Sequence, residues 1–218
     1  LRMSRGLGDV YKRQGENLLT VQLDTREDPT IPPFGFVIDY LTYGGLYREV
    51  WLEATAESRL TDLFVYTPTL QEAVVQWTAE LTPATAAVRI RLETAEGTLL
   101  AEQTAPVAET GKMQLSVPEA QPWDTEHPVL HHAIAELLNA AGQPIDRKQV
   151  TFGFRTAEFR ADGFYLNGKK TFLRGLNRHQ SYPYIGYAAP ESLQREDARI
   201  LQEELHCTAV RTSHYPDD

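Results

Sequence analysis

Thr171 Phe172 Leu173 Arg174 Gly175 Leu176 Asn177 Arg178 His179 and, further along, Ala209 Val210 Arg211 Thr212 Ser213 His214 Tyr215 Pro216 are the stretches that decide the fold. Each opens on a short apolar run, Thr171 to Leu173 in the first and Ala209 Val210 in the second, and each then turns into a polar cluster. Between them lies one helix-length segment. Pro190 opens it, Leu193, Ala198, Ile200, Leu201 and Leu205 share one face, and Glu191, Arg195 and Glu203 turn outward. Strand, helix and strand in that order predict a parallel βαβ unit, and barrels built from such units carry their chemistry where the strands end. Both clusters fall at such ends. His179, His214, Arg178, Arg211, Asn177 and a hydroxyl would then share one rim, a polar assembly suited to a hydroxyl-rich ligand.

Working outward, Phe164 Tyr165 Leu166 and Lys170 Thr171 Phe172 flank Asn167 Gly168, the strongest short hairpin signal. Before it, strand-like runs at 60–66, 73–81, 87–92, 98–103, 112–117 and 149–154 recur at the spacing of an immunoglobulin-like sandwich, with Trp77 and Trp123 as candidate core. Residues 129–140 have helical composition, but Pro128 and the turn residues from Asn139 to Gly142 leave room for one strand, which is the expectation. On that strand His131 and His132 face opposite ways and cannot share a metal. Earlier still, Leu19, Val21 and Leu23 alternate as a half-buried strand, Gly44 Gly45 permits a tight turn, and residues 46–52 alternate again.

The 218 residues carry a net charge of −9 without a basic run, which argues against nucleic acid and anionic membrane as partners. No stretch approaches a membrane span, and mean hydropathy is −0.38. A single cysteine, Cys207, excludes a disulfide framework and reads as a small buried hydrophobe, compatible with a reducing, cytoplasmic setting. Residues 1–14 look foreign: Asp9 Val10 Tyr11 Lys12 Arg13 Gln14 reads as a translated sequencing adaptor. Without them the charge becomes −12, and the natural N-terminus is then expected to be missing, so that the absence of a signal peptide here says nothing about secretion.

Four blocks in this order and spacing, namely Phe152 Gly153 Phe154 Arg155, then Phe164 Tyr165 Leu166 Asn167 Gly168 Lys169, then Leu173 to His179, then Val210 to Pro216, resemble glycoside hydrolase family 2, the β-galactosidase and β-glucuronidase group. The resemblance implies a multidomain chain. Residues 15–55 would be the closing part of a jelly-roll sugar-binding domain, 56–155 an immunoglobulin-like β-sandwich, and 156–218 the opening of a (β/α)8 TIM barrel, whose full length is about 250 residues.

It also implies a retaining β-galactosidase, in which His179, His214 and Asp39, the last from the leading domain, contact sugar hydroxyls. Arg178 and Arg211 would brace neighbouring carboxylates, and Asn177 would shape the turn. Both catalytic glutamates would lie beyond Asp218, so the chain itself is expected to be inactive; Glu191 and Asp197, on the first helix, are expected away from the rim. No cofactor is expected within the chain, whereas magnesium, with sodium as a further ion, and homo-oligomer formation are expected of the full-length enzyme. Gln180 stands where many β-galactosidases have glutamate, and Thr208 replaces a usual asparagine. β-Glucuronidase, β-mannosidase and a noncatalytic carbohydrate-binding sandwich module are the alternatives.

Overall fold

The computed structural model describes residues 44–51 and 53–214, together with 16, 18, 20–24 and 26. These fall into two compact units, one within residues 53–173, the other comprising 174–214 and the described residues up to Trp51.

The first unit is a β-sandwich. Strands β1 (Arg59–Thr69), β2 (Glu72–Glu80) and β5 (Thr110–Ser116) form one antiparallel sheet in the order β1-β2-β5. Strands β3 (Thr85–Thr94), β4 (Leu99–Pro106), β6 (His131–Asn139) and β7 (Pro144–Phe152) form the other, in the order β4-β3-β6-β7. Alternation explains the core between them: Leu63, Val75, Trp77, Met113 and Leu115 from one sheet meet Val88, Ile90, Leu92, Ala135 and Leu137 from the other. The Trp77 ring lies across Gly111, where an added Cβ would stand 2.2 Å from it, and donates its Nε1–H to the Ala108 carbonyl at 3.0 Å. Trp123 is only half-buried, against Gly153 and beneath the Arg155 guanidinium.

Residues 131–139 are a strand despite their helical composition. β6 is an inner strand of its sheet, paired along both edges with β3 and β7, and side chains on both of its faces are buried, Ala133, Ala135 and Leu137 on one and Ile134 and Leu138 on the other, so it reads as a nearly continuous apolar run. Glu136 on its outer face is buried and bonded to Arg89 at 2.7 Å. A three-stranded meander follows: β8 (Ala157–Arg160), β9 (Gly163–Leu166) and β10 (Lys169–Lys170). Asn167 and Gly168 turn its last hairpin with φ of 52° and 75°, as a type I′ turn requires. The Asn167 side chain fastens this sheet to the sandwich, accepting from Thr156 N at 2.9 Å and donating to Trp123 O at 3.0 Å.

The second unit contains β11 (Gly175–Arg178), α1 (Glu191–Arg199), a π-helical turn (Ile200–Glu204) and β12 (Ala209–Thr212). β11 and β12 are parallel, with Gly175 opposite Ala209 and Arg178 opposite Thr212. With the sandwich before it, this parallel strand-helix-strand unit makes the chain a β-sandwich followed by the kind of unit that opens a TIM barrel.

Three local expectations need correction. The strand expected at Thr171 to Leu173 lies later, so Asn177 and Arg178 are inside β11 rather than beyond its end; Arg211 and Thr212 are likewise inside β12. The cause is Gly175, where the two backbones approach so closely that a Cβ would stand 2.3 Å from the Ala209 carbonyl oxygen. The expected strand over 46–52 is absent across 46–51, and residues 21–24 are not strand either: a strand needs a hydrogen-bonded neighbour, and none pairs with them among the described residues. Pro190 is the N-cap rather than the first helical residue, and Ala198 and Leu205 are exposed; the less exposed stripe is Leu193, Asp197, Ile200 and Leu201.

Candidate functional site

Two parallel strands bring distant residues together at their C-terminal ends. His179 follows β11 directly and His214 follows β12 by two residues. Their imidazole rings stand 5.3 Å apart between centroids and nearly perpendicular, at 76°. Both are solvent-exposed. Perpendicular rings present their nitrogens along different directions, so two neighbouring hydroxyls can each be met by a group that donates at one nitrogen and accepts at the other.

One step back along the same face, Arg211 Nη1 donates to Asn177 Oδ1 at 3.3 Å. Asn177 therefore pairs across the strands instead of shaping a turn. Arg178 points the other way, as alternation along a strand demands. It is sheltered between strand and helix. Its Nε and Nη2 donate to Asp197 Oδ2 at 3.0 and 2.9 Å, and Nη2 also reaches Tyr182 Oη at 3.1 Å and Gln194 Oε1. Tyr182 Oη in turn donates to Asp197 Oδ2. Burial opposes the charge on Arg178, but the bonds to Asp197 and Tyr182 outweigh it and hold its pKa above the ordinary value. Burial, then the bond to Asp197, raises the Tyr182 phenol, which stays protonated and able to donate.

Asp197 is thus tied to the end of the strand, contrary to the expectation that the helix acids stand clear of it. The carboxylate that Arg178 braces is on the first helix. A signal for this was present in the sequence. Leu193, Asp197, Ile200 and Leu201 follow the i, i+4, i+7, i+8 pattern of an inward stripe, and a carboxylate on such a stripe calls for a cation. Glu191 is exposed and pairs with Arg195 at 2.5 Å.

A groove of about 240 Å³ is lined by Leu176, Asn177, Arg178 and His179 of the strand and by Asp197, Ile200 and Leu201 of the helical segment. His214 is not among its lining residues. Gln180, next to His179, is fully buried, and Thr208 Oγ1 accepts from Arg174 N at 3.0 Å. Asp39, Tyr215 and Pro216 lie outside the described residues. The segment after Asp39 does reach this unit, since the Tyr47 ring packs 6.0 Å from that of Tyr187 in the loop following β11. Among the described residues no group of three or more His, Cys, Asp or Glu side chains converges.

The sequence profile of glycosyl hydrolases family 2 matches residues 58–155, and that of the family 2 TIM barrel domain matches 157–218. A β-galactosidase of Thermoanaerobacter pseudethanolicus is 38% identical over 210 residues, which cover 92% of this chain and 28% of the relative. A β-galactosidase of Rhizobium meliloti is 36% identical, over 93% of this chain and 28% of the relative. Among solved structures, a Bacteroides uniformis β-glucuronidase superposes with a TM-score of 0.73 at 28% identity, covering 90% of this chain and 26% of that one. A Bifidobacterium dentium β-glucuronidase complexed with coumarin-3-O-glucuronide gives 0.67 at 28% identity, over 74% and 28%. The chain therefore spans less than a third of the length of these relatives.

Proposed function

The chain belongs to glycosyl hydrolases family 2, and on that premise we propose that it is part of a retaining β-glycosidase acting on terminal β-D-galactosides. The observation that carries this reading is the meeting of His179 and His214 at adjacent parallel strand ends, 5.3 Å apart. The preference for galactosides is supported by the two β-galactosidases at 38% and 36% identity. The four-stranded and three-stranded sheets are read as an immunoglobulin-like sandwich, and the leading segment as the end of a jelly roll.

Retaining hydrolysis needs two carboxyl groups about 5 Å apart, one protonating the leaving oxygen and the other attacking the anomeric carbon. Both are assigned to barrel strands beyond this chain. What this chain supplies is positioning: His179 and His214 hold hydroxyls of the terminal sugar, and Asp39 reaches them from the leading segment. Hydrogen bonds that strengthen as the ring distorts lower the barrier, because they favour the transition state over the bound substrate. Magnesium, sodium and subunit contacts are likewise assigned to the rest of the enzyme, and no step is routed through a metal.

The test uses the completed reading frame. Aryl β-galactoside should be cleaved with a kcat/KM at least tenfold above aryl β-glucuronide and β-mannoside, and Asp39→Ala should lower it at least tenfold. Cleavage of none of the three would refute the reading. A preference for the glucuronide would instead support the second reading, which the two structural neighbours favour.

A further inference from the structure

We infer that Asp197 is a positioning residue for sugar binding, acting through Arg178 and Tyr182 to set where His179 stands; the inference rests on the glycosidase reading above. The key juxtaposition is that one carboxylate oxygen holds the chain on both sides of His179. Arg178, immediately before it, donates twice to Asp197 Oδ2, at 3.0 and 2.9 Å. Tyr182, three residues after it, donates its hydroxyl to the same oxygen. His179 therefore lies in a short span of backbone whose two ends are pinned to a single atom of α1.

The pins are themselves rigid. Tyr182 is locked into a tight loop by paired backbone bonds with Gly186, 3.0 Å in each direction. Arg178 is fixed at its other end too, because its carbonyl oxygen accepts from Ser213 N at 3.2 Å, and Ser213 is the fully buried residue that precedes His214. One arginine thus links the helix acid to both histidines: its side chain secures the span holding His179, and its backbone secures the residue carrying His214. Asp197 takes no part in proton transfer to sugar. Its charge keeps the guanidinium in place at a sheltered position where an unpaired cation would be costly.

The experiment is a double-mutant cycle in the completed enzyme, comparing wild type, Asp197→Asn, Tyr182→Phe, His179→Ala and the two combinations with His179→Ala. The readouts are the inhibition constant of the free sugar whose glycoside is cleaved, KM and kcat taken separately, and the melting temperature. Asp197→Asn should raise the sugar inhibition constant at least tenfold, and Tyr182→Phe at least threefold. In the His179→Ala background each should change it less than twofold. Equal effects in both backgrounds would show that the pair only fastens helix to strand, and would overturn the inference, as would wild-type sugar binding in both single variants. Where Asp197→Asn does not fold, Tyr182→Phe, which removes one hydroxyl, decides alone. A wild-type enzyme without glycosidase activity refutes the functional reading instead, and is told apart because it fails before any variant is made.

Discussion

Replacing Gly175 with alanine perturbs the site from beneath without touching any side chain in it. The added methyl would stand 2.3 Å from the Ala209 carbonyl oxygen and 2.8 Å from its carbon, whereas ordinary contact begins near 3.4 Å. About 1 Å of separation is therefore required. Neither neighbour can rotate away, because both are backbone atoms of the partner strand, in register with Gly175 at the start of the parallel pair. Forced overpacking of this kind costs about 1–3 kcal/mol. The larger effect is on geometry, since displacing positioning groups by about 1 Å costs on the order of 100-fold in rate. In the completed enzyme Gly175→Ala should lower kcat/KM for its substrate roughly 100-fold, with a melting temperature reduced by a few degrees in the same preparation. Wild-type activity together with a wild-type melting temperature would show that the strands are not this close and that the two histidines do not depend on their spacing.

Two further outcomes concern the sandwich. His131 is buried against Phe154 and Phe152, with ring centroids 5.0 and 5.9 Å away; burial lowers its pKa, Glu96 raises it in part and His132 lowers it again. The unfolded chain then binds more protons than the folded one below an ordinary imidazole value of about 6.5, so this contribution to stability is present above that pH and is lost as pH falls through it. Urea unfolding between about pH 5 and 8 should show that slope, flattened in His131→Phe; an equal slope in the variant would contradict the assignment. Gly111→Ala would place a Cβ 2.2 Å from the Trp77 ring, which its bond to Ala108 holds in place, and should destabilise the sandwich by about 1–3 kcal/mol; an unchanged denaturation midpoint would argue against the packing.

Much of this architecture is legible before any coordinates. Alternating runs locate six sandwich strands, Asn167 Gly168 announces its hairpin, and polar clusters after apolar runs point to the parallel pair. The β6 segment is readable only through its flanking turns, because an inner strand with buried side chains on both faces loses the alternation that marks its neighbours. The exact span of β11 is not readable from apolar residues at all. Its strand character comes from a glycine that admits a close backbone, and from an arginine whose charge is met by a helix carboxylate fewer than twenty residues later in sequence. Asp197 illustrates the same difficulty: an acid in a helix reads as solvated surface until its place on the inward stripe is set beside Arg178. The meeting of His179 with His214 follows from the parallel strand topology, and the spacing of their rings is the part that only three-dimensional structure supplies.

The central claim is that His179 and His214 bind one sugar together. A crystal structure of the completed enzyme with the terminal sugar of its substrate bound tests it most directly. The account predicts an imidazole nitrogen of each histidine within about 3 Å of hydroxyls on the same sugar ring. A sugar seated elsewhere in the barrel, or contacted by only one of the two, would contradict it.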